Sequence, residues 1–181
     1  MNLKRTPETY NAMAVTLHWL SAMVVFGLFG LGLYMVELGY YDPWYRQGPD
    51  LHKGIGVLLF IATIVRLIWR VISHTPPPLS RHSEAVRKAS YLGHLALYAL
   101  MLSIMLSGYL ISTADGRSID VFGWFEVPAS VTSIPNQADV AGQIHLYLAW
   151  SLIALVVVHV LAALKHHFIE KDGTLKRMWF R

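Results

Sequence analysis

The chain has 181 residues, 55% of them hydrophobic and 14% charged, with a formal charge of +4 and no cysteine. A soluble domain carries roughly 25% charged residues, so a soluble globular class is excluded. The missing cysteines exclude disulfides, thiolate zinc sites, iron–sulfur clusters and covalent c-type haem attachment.

The apolar residues collect in four blocks, each long enough at about 20 residues to cross a hydrocarbon core. They run over residues 15–38, 51–72, 91–112 and 142–166, and none contains a proline. Unbroken helices satisfy every backbone amide internally, as a spanning segment must. The expected fold is all-α: an integral membrane four-helix bundle forming a single domain over 1–181. Lys4 and Arg5 precede the first block as in a signal peptide. That block is too long for one and lacks a small-residue cleavage site, so it reads as a retained span.

Thr6-Pro7-Glu8 reads as a helix start, with threonine as cap and proline in the first turn. His18 lies about one turn inside span one, followed by Trp19, an interface anchor. Gly27, Gly30 and Gly32 thin the same helix, either for close helix packing or to leave room for a flat macrocycle. Tyr40, Tyr41, Trp44 and Tyr45 in the first connection form an aromatic belt. His52 opens span two. Arg66 and Arg70 near its far end share a face, and either snorkel to headgroups or pair with haem propionates. A stiff His74-Thr75-Pro76-Pro77-Pro78 linker follows, in which His74 and His82 read as ordinary surface histidines. His94 falls in the first turn of span three. The third connection is long, about 30 residues, and is expected to fold over the bundle as a short helix plus lid. After span four, Lys165-His166-His167 and Lys171-Asp172-Gly173 form a basic, turn-containing tail.

Lysine and arginine concentrate in the two termini and the second connection, while acids prevail in the first and third. The positive-inside rule then puts both termini and the second connection in the cytoplasm, and the first and third connections outside. The basic balance is orientation charge and implies no nucleic acid. With that topology the histidines sort by depth. His52 and His145 are outer; His18, His94 and His159 are inner.

Span four carries both His145 and His159, 14 residues apart. At about 100° per residue their side chains return to within about 40° of each other, and at about 1.5 Å rise they sit about 21 Å apart. One imidazole stands near each membrane face on a single stripe. Intramembrane ionisable residues mark function by default, and neutral imidazole is a good axial ligand. One outer haem between His52 and His145 follows from counting. An inner haem takes His159 plus His18 or His94, and spacing alone does not choose. Metal transport or proton relay would be expected to bring carboxylates or methionines beside the histidines. The one acid near a span interior is Glu37, at the outer edge of span one.

The ordered segments Thr16-Leu17-His18-Trp19-Leu20, Leu51-His52-Lys53-Gly54-Ile55-Gly56, Leu92-Gly93-His94-Leu95, His145, and His159 through Lys165-His166-His167 to Lys171-Asp172 carry a resemblance over nearly the whole chain. It resembles the bacterial cytochrome b561 family, related to the cytochrome b subunits of nickel–iron hydrogenases and formate dehydrogenases. The resemblance implies two haem b groups, one on His18 and His159 and one on His52 and His145. It leaves His94, with His166 and the basic tail, for a quinone pocket. It further implies a multi-pass protein of the bacterial inner membrane, in contact with lipid, passing electrons from a periplasmic donor to ubiquinone or menaquinone near the cytoplasmic face. A more specific reading is superoxide:ubiquinone oxidoreductase; another is a cytochrome b anchor subunit for a soluble partner. The outer connections, at about four net negative charges relieved by Lys53, do not favour an anionic donor such as superoxide.

Overall fold

The structure, a computed structural model, describes residues 9–79 and 82–179. The predicted helix start at Thr6-Pro7-Glu8 and the charges of Lys4, Arg5, Arg81 and Arg181 lie outside the described residues. Four long helices dominate: α1 Ala12–Met35, α2 Trp44–Ile72, α3 Glu84–Ser112 and α4 Gln137–Leu164. Each is long and apolar enough to cross a membrane. Apolar side chains face outward along them, with Met23 65%, Val71 84% and Val158 60% exposed. That is the surface of a protein whose solvent over these segments is lipid.

Side-chain capping explains the starts of α1 and α3. Asn11 accepts the Ala14 N–H at 2.9 Å, and its same oxygen takes the Trp69 indole N–H at 3.0 Å, joining the start of α1 to the end of α2. Ser83 caps α3 through Val86 N–H. All four helices begin before their apolar blocks, α2 and α3 by the most. α3 starts at Glu84, an acid in its first turn, rather than at Tyr91. α2 starts at Trp44, so much of the aromatic first connection is helix. Its Pro49 lies in the second turn, and the Lys53–Asp50 pair at 2.9 Å spans the next one.

The third connection holds no helix. It forms a hairpin of β1 Ile119–Val121 and β2 Phe125–Val127, antiparallel with Val121 opposite Phe125. Asp120 accepts the Gly123 N–H across the turn, and β1 presses Ile119 and the fully buried Val121 against α2. The lid expected there is present, made of strands. The Tyr109 hydroxyl donates to the Pro128 carbonyl at 2.9 Å and accepts from Ser130 N–H at 2.7 Å, tying the segment to α3.

α1 packs most closely on α2, and α3 on α4. Across the bundle α1 and α4 meet through long side chains, such as Phe29 against Trp150 at 5.1 Å between rings. The apolar core is Leu59, Met101 and Leu152, with Val25 and its neighbours against them. It sits at mid-height. Beyond α4 one π-turn, Lys165–Ile169, and a 3-10 turn, Leu175–Met178, fold the tail back under the bundle. The Trp19 indole, predicted as an interface anchor, donates to the Met178 carbonyl at 2.8 Å and holds that tail to α1.

Candidate functional site

Every helix repeats one inward stripe at steps of seven residues. α1 presents His18, Val25 and Gly32; α2 presents His52, Leu59 and Arg66. α3 presents His94, Met101 and Gly108; α4 presents His145, Leu152 and His159. Seven residues are about two turns, so each triplet stays on one face. The middle members form the core. The outer members form two polar layers, one above and one below it, about 21 Å apart. Close to the hairpin lie Gly32, His52, Gly108 and His145. Close to the termini lie His18, Arg66, His94 and His159.

The hairpin-side layer holds two facing imidazoles. The His52 and His145 ring centroids are 6.1 Å apart, inclined by 67°. Each ring leans on a glycine of a neighbouring helix. A Cβ on Gly32 would lie 3.4 Å from His52 Cε1, and one on Gly108 would lie 3.2 Å from His145 Cε1. His145 Nδ1 donates to the Ile104 carbonyl at 3.0 Å, with Ser107 Oγ also at 3.0 Å. A carbonyl only accepts, so the neutral ring carries its proton on Nδ1 and leaves Nε2 with a free lone pair. That is the tautomer a metal-ligating histidine adopts. Across the gap His52 Nδ1 is buried with no partner.

The terminus-side layer is more crowded. His159 faces His18 at 6.3 Å, again at 67°, and His94 at 5.4 Å. Arg66 Nη2 donates to His18 Nδ1 at 2.9 Å. A guanidinium has no acceptor, so His18 here carries its proton on Nε2. Ligation through Nε2 and this Arg66 contact therefore exclude each other. The Arg66 guanidinium also lies over the Tyr98 ring at 5.4 Å, beside Arg70 at 5.8 Å. Of the span-one glycines only Gly32 approaches another helix; a Cβ on Gly27 or Gly30 would meet nothing. Close helix packing does not account for those two.

These gaps fit an iron macrocycle. Metal–nitrogen bonds of about 2 Å on both sides, plus about 1 Å from each nitrogen to its ring centre, require ring centres about 6 Å apart. Both the His52/His145 and the His18/His159 spacings meet that. The oriented His145 tautomer and the orphaned His52 Nδ1 add independent support for the hairpin-side layer.

His166 belongs to a different constellation, under the terminus-side end. His82 Nε2 lies 2.6 Å from Asp172 Oδ2, and His166 Nδ1 lies 3.0 Å from the same oxygen and 2.7 Å from Glu170 Oε2. Asp172 is 2% exposed at its side chain. Burial pushes its carboxyl up, but hydrogen bonds from His82 and Thr174 outweigh that and hold it well below the usual carboxylate range. Lys165 and His166 likewise lower Glu170. His82, predicted to be an ordinary surface histidine, is instead half-buried in this cluster. The tail folds up against its linker and supplies the acid. His74 is exposed as expected.

Comparison with known proteins agrees with this architecture. The family model described as prokaryotic cytochrome b561 matches residues 9–181. The chain is 55% identical over 178 residues to "Cytochrome b561 homolog 2" of Escherichia coli (strain K12), covering 98% of this chain and 95% of the relative. It is 28% identical over 176 residues to "Probable superoxide oxidase CybB" of Yersinia pestis, covering 94% and 96%. It is 29% identical over 182 residues to "Cytochrome b561 homolog 1" of Escherichia coli (strain K12), covering 93% and 96%. The chain belongs to the prokaryotic cytochrome b561 family. It is a multi-pass bacterial membrane protein of electron transfer, and its family carries b-type haem.

Proposed function

We propose that the protein holds two haem b groups, one in each histidine layer, and moves electrons across the bacterial inner membrane from a periplasmic donor to a quinone near the cytoplasmic face. The observation that carries this is the pair of facing imidazole gaps, 6.1 and 6.3 Å between centroids, stacked on the two ends of one core. His52 and His145 hold the outer group, His18 and His159 the inner. Bound haem supplies one-electron carriage; the chain supplies ligation, depth and polarity.

The residues divide the remaining work. Ile104 and Ser107 fix the His145 ring and its tautomer. Arg66 would release His18 for that ring to ligate, and with Arg70 it would pair with the carboxylates of a haem held there. The Leu59, Met101 and Leu152 core keeps water from the space between layers. Both termini and the linker carrying His82 lie on the cytoplasmic side, where lysine and arginine are concentrated. Converting a quinone to a quinol takes two electrons, one at a time, and two protons. His94, against His159 at 5.4 Å, hydrogen-bonds the quinone head, and the tail around His166 receives cytoplasmic protons.

Superoxide as donor is the second reading, favoured by likeness to a protein named a probable superoxide oxidase. Each superoxide would give up one electron and leave as dioxygen, two being consumed per quinol. The test is a haem-to-protein ratio with the visible spectrum of the purified protein, then turnover with quinone and superoxide. Two bis-histidine haems with quinone reduction support the proposal. One haem per chain refutes the two-layer assignment, and no turnover with any small donor points to an anchor for a soluble partner.

A further inference from the structure

Outside the two histidine layers, four metal-ligating side chains converge where no haem gap exists. His82 comes from the linker between α2 and α3, His166 from the π-turn after α4, Glu170 from the residue that follows it, and Asp172 from the tail. One ligand atom from each lies within 4.8 Å of all the others. The His82 and His166 rings are 4.6 Å apart. We propose that these four residues form a binding site for a divalent transition metal of the zinc class, at the cytoplasmic end of the bundle and separate from haem.

The chemistry of the donors selects the class. Two imidazoles and two carboxylates suit zinc, which binds four such ligands tetrahedrally; magnesium and calcium favour oxygen shells. At bonds of about 2.0–2.1 Å the ligand atoms of a tetrahedral site stand about 3.3 Å apart. The observed contacts of 2.6, 2.7 and 3.0 Å, with every atom inside 4.8 Å, bracket that value. Without a metal, Asp172 Oδ2 and Glu170 Oε2 are held by N–H groups of His82 and His166; the metal takes the place of those protons and leaves both carboxylates compensated.

Outer contacts are already built. Thr174 N–H donates to the other Asp172 oxygen at 2.8 Å, and Lys165 Nζ lies 2.9 Å from Glu170 Oε1. Such partners orient ligands and sharpen affinity. The backbone is shaped to the purpose as well. Glu170 N–H reaches back five residues to the Lys165 carbonyl at 3.1 Å, and Asp172 N–H reaches the His166 carbonyl at 3.2 Å. This widened turn brings His166, Glu170 and Asp172 to one point; π-turns of this kind occur often at functional sites. Bound metal would clamp the tail to the linker and so close the cytoplasmic face.

The site shares His166 with the proposed proton entry, but its test reads metal stoichiometry rather than turnover, so the two readings fail separately. Haem-loaded protein in detergent is stripped with a chelator, dialysed against zinc chloride and analysed for zinc and haem iron. One zinc per chain is expected. His82→Ala and Asp172→Asn should each weaken zinc binding by roughly tenfold or more with an unchanged haem spectrum, and His74→Ala should leave it intact. Should Asp172→Asn fail to load haem, His82→Gln alters a linker residue outside the helices and serves instead. Absence of retained zinc in the unaltered protein, or equal retention in the His82 variants, overturns the site.

Discussion

Phe122 at the tip of the hairpin fills the place where Gly54 has no side chain. A Cβ on Gly54 would lie 2.7 Å from Phe122 Cζ and 2.9 Å from Cε2. Phe122 holds a left-handed backbone, φ +57°, to reach there, which is costly for a bulky residue. The contact seats the lid on α2 two residues from His52. Gly54→Ala should therefore destabilise the haem-loaded protein by about 1–3 kcal/mol through overpacking, read as a lower Tm. Adding Phe122→Ala should recover much of that loss. An unchanged Tm in Gly54→Ala would mean the lid is not seated as described.

The hairpin-side layer gives the cleanest ligand test. It contains two histidines and two glycines, so no spare imidazole can substitute. His52→Ala or His145→Ala should each remove one haem of two and leave the other with an unshifted spectrum. Retention of both haems in either variant would show that these layers are assigned wrongly. Gly108→Val should act in the same direction, because a Cβ there already stands 3.2 Å from His145 Cε1.

On the terminus side His18 and His94 both neighbour His159, and the assignment is open to a direct exchange test. His18→Ala should lose the inner haem. His94→Ala should keep both haems and slow quinone reduction. The reverse pattern would move the ligand role to His94 and leave His18 as the partner of Arg66. The Arg66 contact adds a second measurement. Arg66→Ala frees His18 Nδ1 but removes a cation that would pair with haem propionates, so weaker haem retention with unaltered axial ligation is expected.

How much of this was legible in the chain depends on what each position contributes. The 14-residue step from His145 to His159 is visible because both ends carry an imidazole. The same step links His18 to Gly32, His52 to Arg66 and His94 to Gly108, and passes unnoticed, because a glycine that only makes room has no chemical signature. Four spans and two depth layers followed from hydropathy and charge alone. The hairpin did not, since strands of three residues are too short for a period-two pattern. The His82–Asp172 contact joins residues 90 apart through a π-turn, and nothing local announces it. An acid in a basic tail was the only available sign.

The last prediction concerns the donor. The first and third connections are net negative, and the structure pairs two of the cations there: Lys53 with Asp50 and Arg117 with Asp115. Each pair is close to neutral at long range, so the remaining acids of these connections set the field near the His52 and His145 layer, and it is negative. Such a face slows an anionic donor and favours a neutral or cationic one. The field is screened over about 10 Å at 0.1 M salt. Reduction by superoxide, an anion, should therefore be slow at low salt and accelerate as salt rises, followed by stopped-flow at the outer haem. The hairpin covers part of that approach, and its Asp120 and Glu126 are two of the acids that make it negative. A fast rate that falls with added salt would reveal a positive local field and make superoxide the leading donor. The expected rising slope leaves a neutral reductant or a cationic protein as the better match to this surface.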